Sequence, residues 1–122
     1  NDATLVLVQQ LFLRANDSEV KQRILAALGK IGDARGAKPI QEFLSRDLDH
    51  ATRGTAIFAL GEVGDTESVE FLETLERTEP HPTIKRIARE AQAKIKYQQA
   101  MRQTEARQPL NTFLPPEEPP AQ

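Results

Sequence analysis

Apolar side chains along the first 96 residues recur at intervals of three and four. Val20, Ile24, Ala27, Leu28 and Ile31 follow the 3.6-residue period, and Val69, Leu72 and Leu75 fall at every third position. Nothing alternates with period two over a useful length, so the pattern predicts helices and no strands. The punctuation agrees. Asp33 and Asp65 are placed to cap one set of helices, and Asp17 or Ser18, with Asp49, to cap another. Gly32 and Gly64 stand where a helix ends in a left-handed residue. Pro39 sits near a helix start, where its missing N–H costs nothing, and Pro80 and Pro82 break the chain between two helices.

The pattern repeats. Leu28-Gly29-Lys30-Ile31-Gly32-Asp33 returns 32 residues later as Leu60-Gly61-Glu62-Val63-Gly64-Asp65. The same shift lays Asp17 on Asp49, Lys21 on Arg53 and Ala27 on Ala59. A second shift brings Ile84, Lys85, Ala88, Ala91 and Ile95 under Val20, Lys21, Ile24, Ala27 and Ile31. Leu5, Ala37 and Val69 share a column, as do Val8, Ile40 and Leu72, and Leu11, Phe43 and Leu75. The units are 1–32, 33–64 and 65–96, two helices each. One such pair cannot bury its apolar stripe alone, whereas stacked pairs can. The expected fold is all-α: a right-handed α-solenoid of three two-helix repeats over residues 1–108. The last helix is expected to run past the repeat, over residues 83–106. Gly29 and Gly61 lie inside helices, where glycine costs about 1 kcal/mol relative to alanine. A close approach by the next unit is the expected reason. Residues 109–122 read as a Pro-rich extended or disordered tail. In it Phe113 and Leu114 form an apolar pair, a candidate short linear motif that could fold back against the solenoid or bind a neighbour.

Composition narrows the function. Sixteen basic residues against 18 acidic ones give a net charge of −2, and there is no Trp. That balance speaks against nucleic acid as partner. The chain has no Cys, which removes thiol chemistry, disulfides and Cys-ligated metal. No apolar run approaches the ~20 residues of a membrane span, so no membrane insertion is expected. The first helix, by contrast, is apolar nearly all round: Leu5, Val6, Leu7, Val8, Leu11, Phe12 and Leu13. Such a helix is normally covered on more than one side. The expectation is self-association, or a neighbouring domain ahead of Asn1, through Val6, Leu7 and Leu13.

The motif V-[KR]-x-x-x-x-x-A-L-G-x-[IV]-G-D, with proline in the first helix, resembles the short HEAT-like repeats named after phycobilisome lyases and used in artificial α-helical repeat proteins. Residues 36–40 and 59–65 carry the best match. The resemblance implies first helices on a convex side and second helices lining a concave groove that takes partners. It also implies that the column Lys21, Arg53, Lys85 pairs with the loop acids Asp17, Asp33, Asp49 and Asp65, a structural role that outweighs phosphate binding. Unit 3 departs from the pattern with His81, Gln92, Ala93 and Lys96, the polar drift of a capping repeat.

Catalytic chemistry finds little support. Some HEAT-like enzymes are di-iron hydroxylases with His-Glu dipeptides, but His50 precedes Ala51 and His81 precedes Pro82. No metal or other cofactor is expected. Relatives that excise alkylated DNA bases use aromatic residues and a basic cleft, which this composition does not supply. Ser18, Ser45 and Ser68 lack a nearby His or a Gly-x-Ser-x-Gly setting.

The candidate partner-binding residues are those of the second helices that point away from the core columns: Arg23, Ala26, Gly54, Thr55, Phe58, Glu62, Arg86, Ile87 and Glu90. Phe58 is the anomaly, a large aromatic on a face that should be solvated. Ala26, Gly54 and Ile87 are expected around it, with charges at the rim, the anatomy of a recognition site; the plainer reading is a Phe folded over its neighbours. The expected function is a non-catalytic scaffold or adaptor module that binds a protein or peptide. The alternatives are an enzyme-associated domain resembling phycobilin lyase subunits, and a structural spacer.

Overall fold

The computed structural model describes residues 2–107. The Pro-rich segment, with Phe113 and Leu114, lies outside the described residues. Helices α1 (Asp2–Leu11) and α2 (Ser18–Ile31) form the first pair. A 3-10 turn (Ala34–Gly36) leads into α3 (Ala37–Phe43) and α4 (His50–Val63), and α5 (Ser68–Thr78) with α6 (Pro82–Arg107) completes the described chain.

The second helix of each pair starts and stops where its capping residues dictate. Asp17 accepts from the Val20 N–H at 2.9 Å, and Asp49 from the Thr52 N–H at 2.7 Å. Gly32 (φ 70°) and Gly64 (φ 78°) end α2 and α4 in the left-handed region. Their N–H groups donate to Leu28 O and Leu60 O. The other two aspartates differ from expectation. Asp33 accepts from the Arg35 N–H at 3.0 Å and Asp65 from the Glu67 N–H at 3.3 Å. They therefore close the tight turns ahead of α3 and α5, which start at Ala37 and Ser68 without a side-chain cap. An aspartate reaching two residues on stabilises a turn rather than a helix start.

The helices form two layers. One is α2, α4 and α6, each packed on the next; the other is α1, α3 and α5, where α3 and α5 touch only lightly. Leu25, Leu28, Ile40, Phe43, Ile57, Leu60, Leu72 and Ile95 fill the space between the layers and are almost wholly buried. Glycine sets the spacing within the second-helix layer. A Cβ placed on Gly61 would lie 2.9 Å from Ala91 Cβ and 3.0 Å from Ala91 Cα. On Gly29 it would lie 3.1 Å from Glu62 Cβ and 3.3 Å from Ala59 Cα. The close approach expected of both glycines is present.

The cationic column plays a different part from the one expected. Lys21 Nζ donates to Leu11 O and Leu13 O, at the end of α1. Arg53 donates to Leu44 O, just past α3, and to Glu79 Oε1 at 2.9 Å. These cations satisfy carbonyls left open at a first helix's C-terminus. The loop aspartates are occupied with backbone N–H groups instead. In unit 3, Gln92 replaces the leucine of the Leu28 and Leu60 column and is still buried. Its amide donates to Leu72 O, Ala88 O and Glu76 Oε1, so the polar substitution leaves its donors satisfied.

Candidate functional site: a groove in the second-helix layer

Small residues on α4 open a groove against α6. Ala51, Gly54 and Gly61 leave the floor low, and Ile84, Ile87 and Ala91 of α6 form the opposite wall. The groove has a volume of about 640 Å³ and is mainly apolar. Phe58 rises from its α4 side and is 56% exposed, the most exposed of the phenylalanines in α1–α6. On its other flank a second hollow of about 280 Å³ lies between α2 and α4, formed by Ala26, Gly29, Lys30, Ala59 and Glu62. Phe58 is thus a ridge between two shallow hollows, not a core residue.

The rim is charged and internally paired. Lys94 of α6 forms an ion pair with Glu62 of α4 across the groove. Its ammonium lies 5.5 Å from the Phe58 ring centre, within cation–π range. Arg86 pairs with Glu90 at 3.6 Å, and Arg23 with Glu19 at 3.6 Å. Lys30, which lines the smaller hollow, is in none of these pairs.

Of the expected residues, Gly54, Thr55, Phe58, Ile87 and Glu90 line the larger groove, and Ala26, Phe58 and Glu62 the smaller one. Arg23 and Arg86 are exposed but line neither. Thr55 donates its hydroxyl back to Ala51 O at 2.9 Å, within its own helix.

The sequence reading missed the groove's end wall. His50, the first residue of α4, and His81, just ahead of α6, meet edge to face with ring centres 4.2 Å apart. They are 31 residues apart rather than 32, so they share no repeat column, and that hid their proximity. His81 Nδ1 is buried and has no hydrogen-bond partner. Beside the pair, Glu79 Oε2 accepts from the His81 N–H at 3.2 Å. Burial pushes the Glu79 carboxyl up, but the Arg53 hydrogen bond, the His81 N–H and the Arg53 charge outweigh it and hold the group below the usual glutamate value. Asp49 is also held low, by the Ser18 hydroxyl first and then by the Thr52 N–H and hydroxyl. Among the described residues no cluster of three His, Cys, Asp or Glu is placed to hold a metal ion.

Helix pairs stacked in register, with glycines at the contact between second helices, define an α-solenoid. The family pattern for HEAT repeats matches residues 4–93, and the chain belongs to the HEAT repeat family. HEAT repeats commonly mediate protein–protein interactions. A comparison with curated proteins finds no match to this chain. Among the described residues no helix is long and apolar enough to cross a membrane.

Proposed function

We propose that this chain is a non-catalytic adaptor module that binds a segment of another protein in the α4–α6 groove, with Phe58 as the central contact. The observation that carries the reading is Phe58 itself. An aromatic more than half exposed, flanked by two apolar hollows and held in place by Lys94, is pre-arranged for contact with a partner's apolar side chains. The close packing of α2, α4 and α6 beside the looser α1, α3, α5 layer also supports a concave second-helix face. The mainly apolar lining of the larger groove favours a segment whose anchors are apolar.

The test is selection of a displayed library of twelve-residue peptides against the full chain, followed by Phe58→Ala. The peptides recovered should be apolar at two or more positions and should shift the amide resonances of Phe58, Ile84 and Ile87. Phe58→Ala should weaken their binding about thirtyfold, or ~2 kcal/mol. The same substitution should lower folding stability by less than about 1 kcal/mol, because the ring is largely in water already. Peptides that bind Phe58→Ala equally well, or a stability loss of about 3 kcal/mol or more, would show the ring to be structural.

A further inference from the structure

The repeat columns are closed in the second and third units and open in the first. Ala37 is fully buried, whereas Leu5, its counterpart in unit 1, is 49% exposed. Val63 and Ile95 are 8% and 0% exposed, against 37% for Ile31. Ala59 and Ala91 are buried, and each seats against a glycine of the preceding unit: Ala59 against Gly29, Ala91 against Gly61. Ala27 is the remaining member of that column and is only partly buried. The open face is therefore the same surface that units 2 and 3 use to stack, and its chemistry is known from those two contacts.

The expected surplus at Val6 and Leu13 lies elsewhere. Their column partners, Lys38 with Glu70 and Ser45 with Arg77, are all exposed, so Val6 and Leu13 belong to the outer surface. Leu7 packs partly against the core.

A second copy of the chain fits the open face poorly. The surface it would bring head to tail is that of unit 3, where Ala93 stands in the column of Gly29 and Gly61, and Lys96 in that of Gly32 and Gly64. A side chain at the glycine position meets the opposing alanine at about 3 Å, closer than carbon atoms pack. We propose that the open face built on Leu5, Ala27 and Ile31 docks a further HEAT-type helix pair from outside residues 1–122. The second helix of that pair carries a glycine opposite Ala27.

The test places such a unit on the full chain. Residues 33–64 are fused directly ahead of Asn1, which sets the added Gly61 thirty residues before Ala27. That is the spacing of Gly29 to Ala59 and of Gly61 to Ala91. The fusion should unfold in one transition at a higher Tm than the parent chain. Amide exchange at Ala27 and Ile31 should slow by about tenfold or more. Changing the added glycine to alanine, or Ala27 to Lys, should abolish both effects, while Ala27→Lys in the unfused chain leaves Tm unchanged. A second fusion, with residues 1–64 ahead of Asn1, keeps the spacing and reads the same quantities from a longer insert. Two results would overturn the proposal. One is an added unit that melts separately in both fusions without protecting Ala27. The other is a parent chain that sediments as a dimer and is returned to monomer by Ala27→Lys, which would make a second copy the occupant.

Discussion

Gly54 and Gly61 stand on one helix and face the same neighbour, yet a Cβ means different things at the two. At Gly61 it would run into Ala91 Cα and Cβ, atoms tied to the α6 backbone. At Gly54 it would meet the Cδ1 atoms of Ile87 and Ile84 at 3.3 and 3.4 Å, flexible tips that can turn aside. Alanine gains about 1 kcal/mol over glycine in a helix interior, and overpacking against fixed atoms costs about 1–3 kcal/mol. Gly61→Ala should therefore lower stability by up to about 2 kcal/mol, and Gly54→Ala should leave it level or raise it by up to about 1 kcal/mol. Urea unfolding of both variants checks this, and a stabilising Gly61→Ala would contradict the close contact. Residue-scale features of this kind were legible in the sequence where one residue type has one use. Gly32 and Gly64 announced helix ends, Asp17 and Asp49 helix starts, and Phe58 an aromatic where none was needed. The partners of Lys21 were not legible. A lysine's acceptors here are backbone carbonyls, and carbonyls leave no mark on the sequence.

Between elements, the tie joining the α4, α5 and α6 termini is the Arg53–Glu79 pair. Glu79 lies just past α5, its side chain only 5% exposed, with one oxygen on Arg53 and the other on the N–H that opens α6. Its carboxyl is held below the ordinary glutamate value of about 4.3. A group whose folded-state pKa is lowered stabilises the fold fully above its unfolded value and loses that contribution as pH falls through the folded one. The native chain should thus keep its full stability from neutral pH down to about 5 and lose part of it below about 4. Glu79→Gln should cost about 2–3 kcal/mol at pH 7, since Arg53 then lies mostly covered without a counter-charge. It should also flatten the acid limb of a stability–pH curve; a limb as steep as the parent's would show that other carboxylates carry the acid response. The helices were readable from periodicity, but this tie was not. Glu79 sits in a loop that breaks the repeat, and only the meeting of three helix ends gives it Arg53 as partner.

For the molecule as a whole, the length of α6 decides which surfaces the C-terminal segment can touch. The helix runs to Arg107, and Ile87, in the groove's wall, lies twenty residues before that end. At 1.5 Å per residue Ile87 is about 30 Å back along the axis, and Lys94, beside the Phe58 ring, about 20 Å. Phe113 is six residues beyond Arg107, a reach of about 20 Å when fully extended. By length alone an extended Phe113 comes level with Lys94, at the near end of the groove, but falls short of Ile87 at the far end while α6 stays helical to its end. Deleting residues 109–122 should leave the amide shifts of Ile84 and Ile87 unchanged in dilute solution. If another copy's segment occupies the groove, the full-length chain alone will show shifts there that grow with concentration. Deletion shifts at Ile84 and Ile87 that do not vary with concentration would mean that α6 breaks before Arg107 and lets Phe113 return to the far end of its own groove.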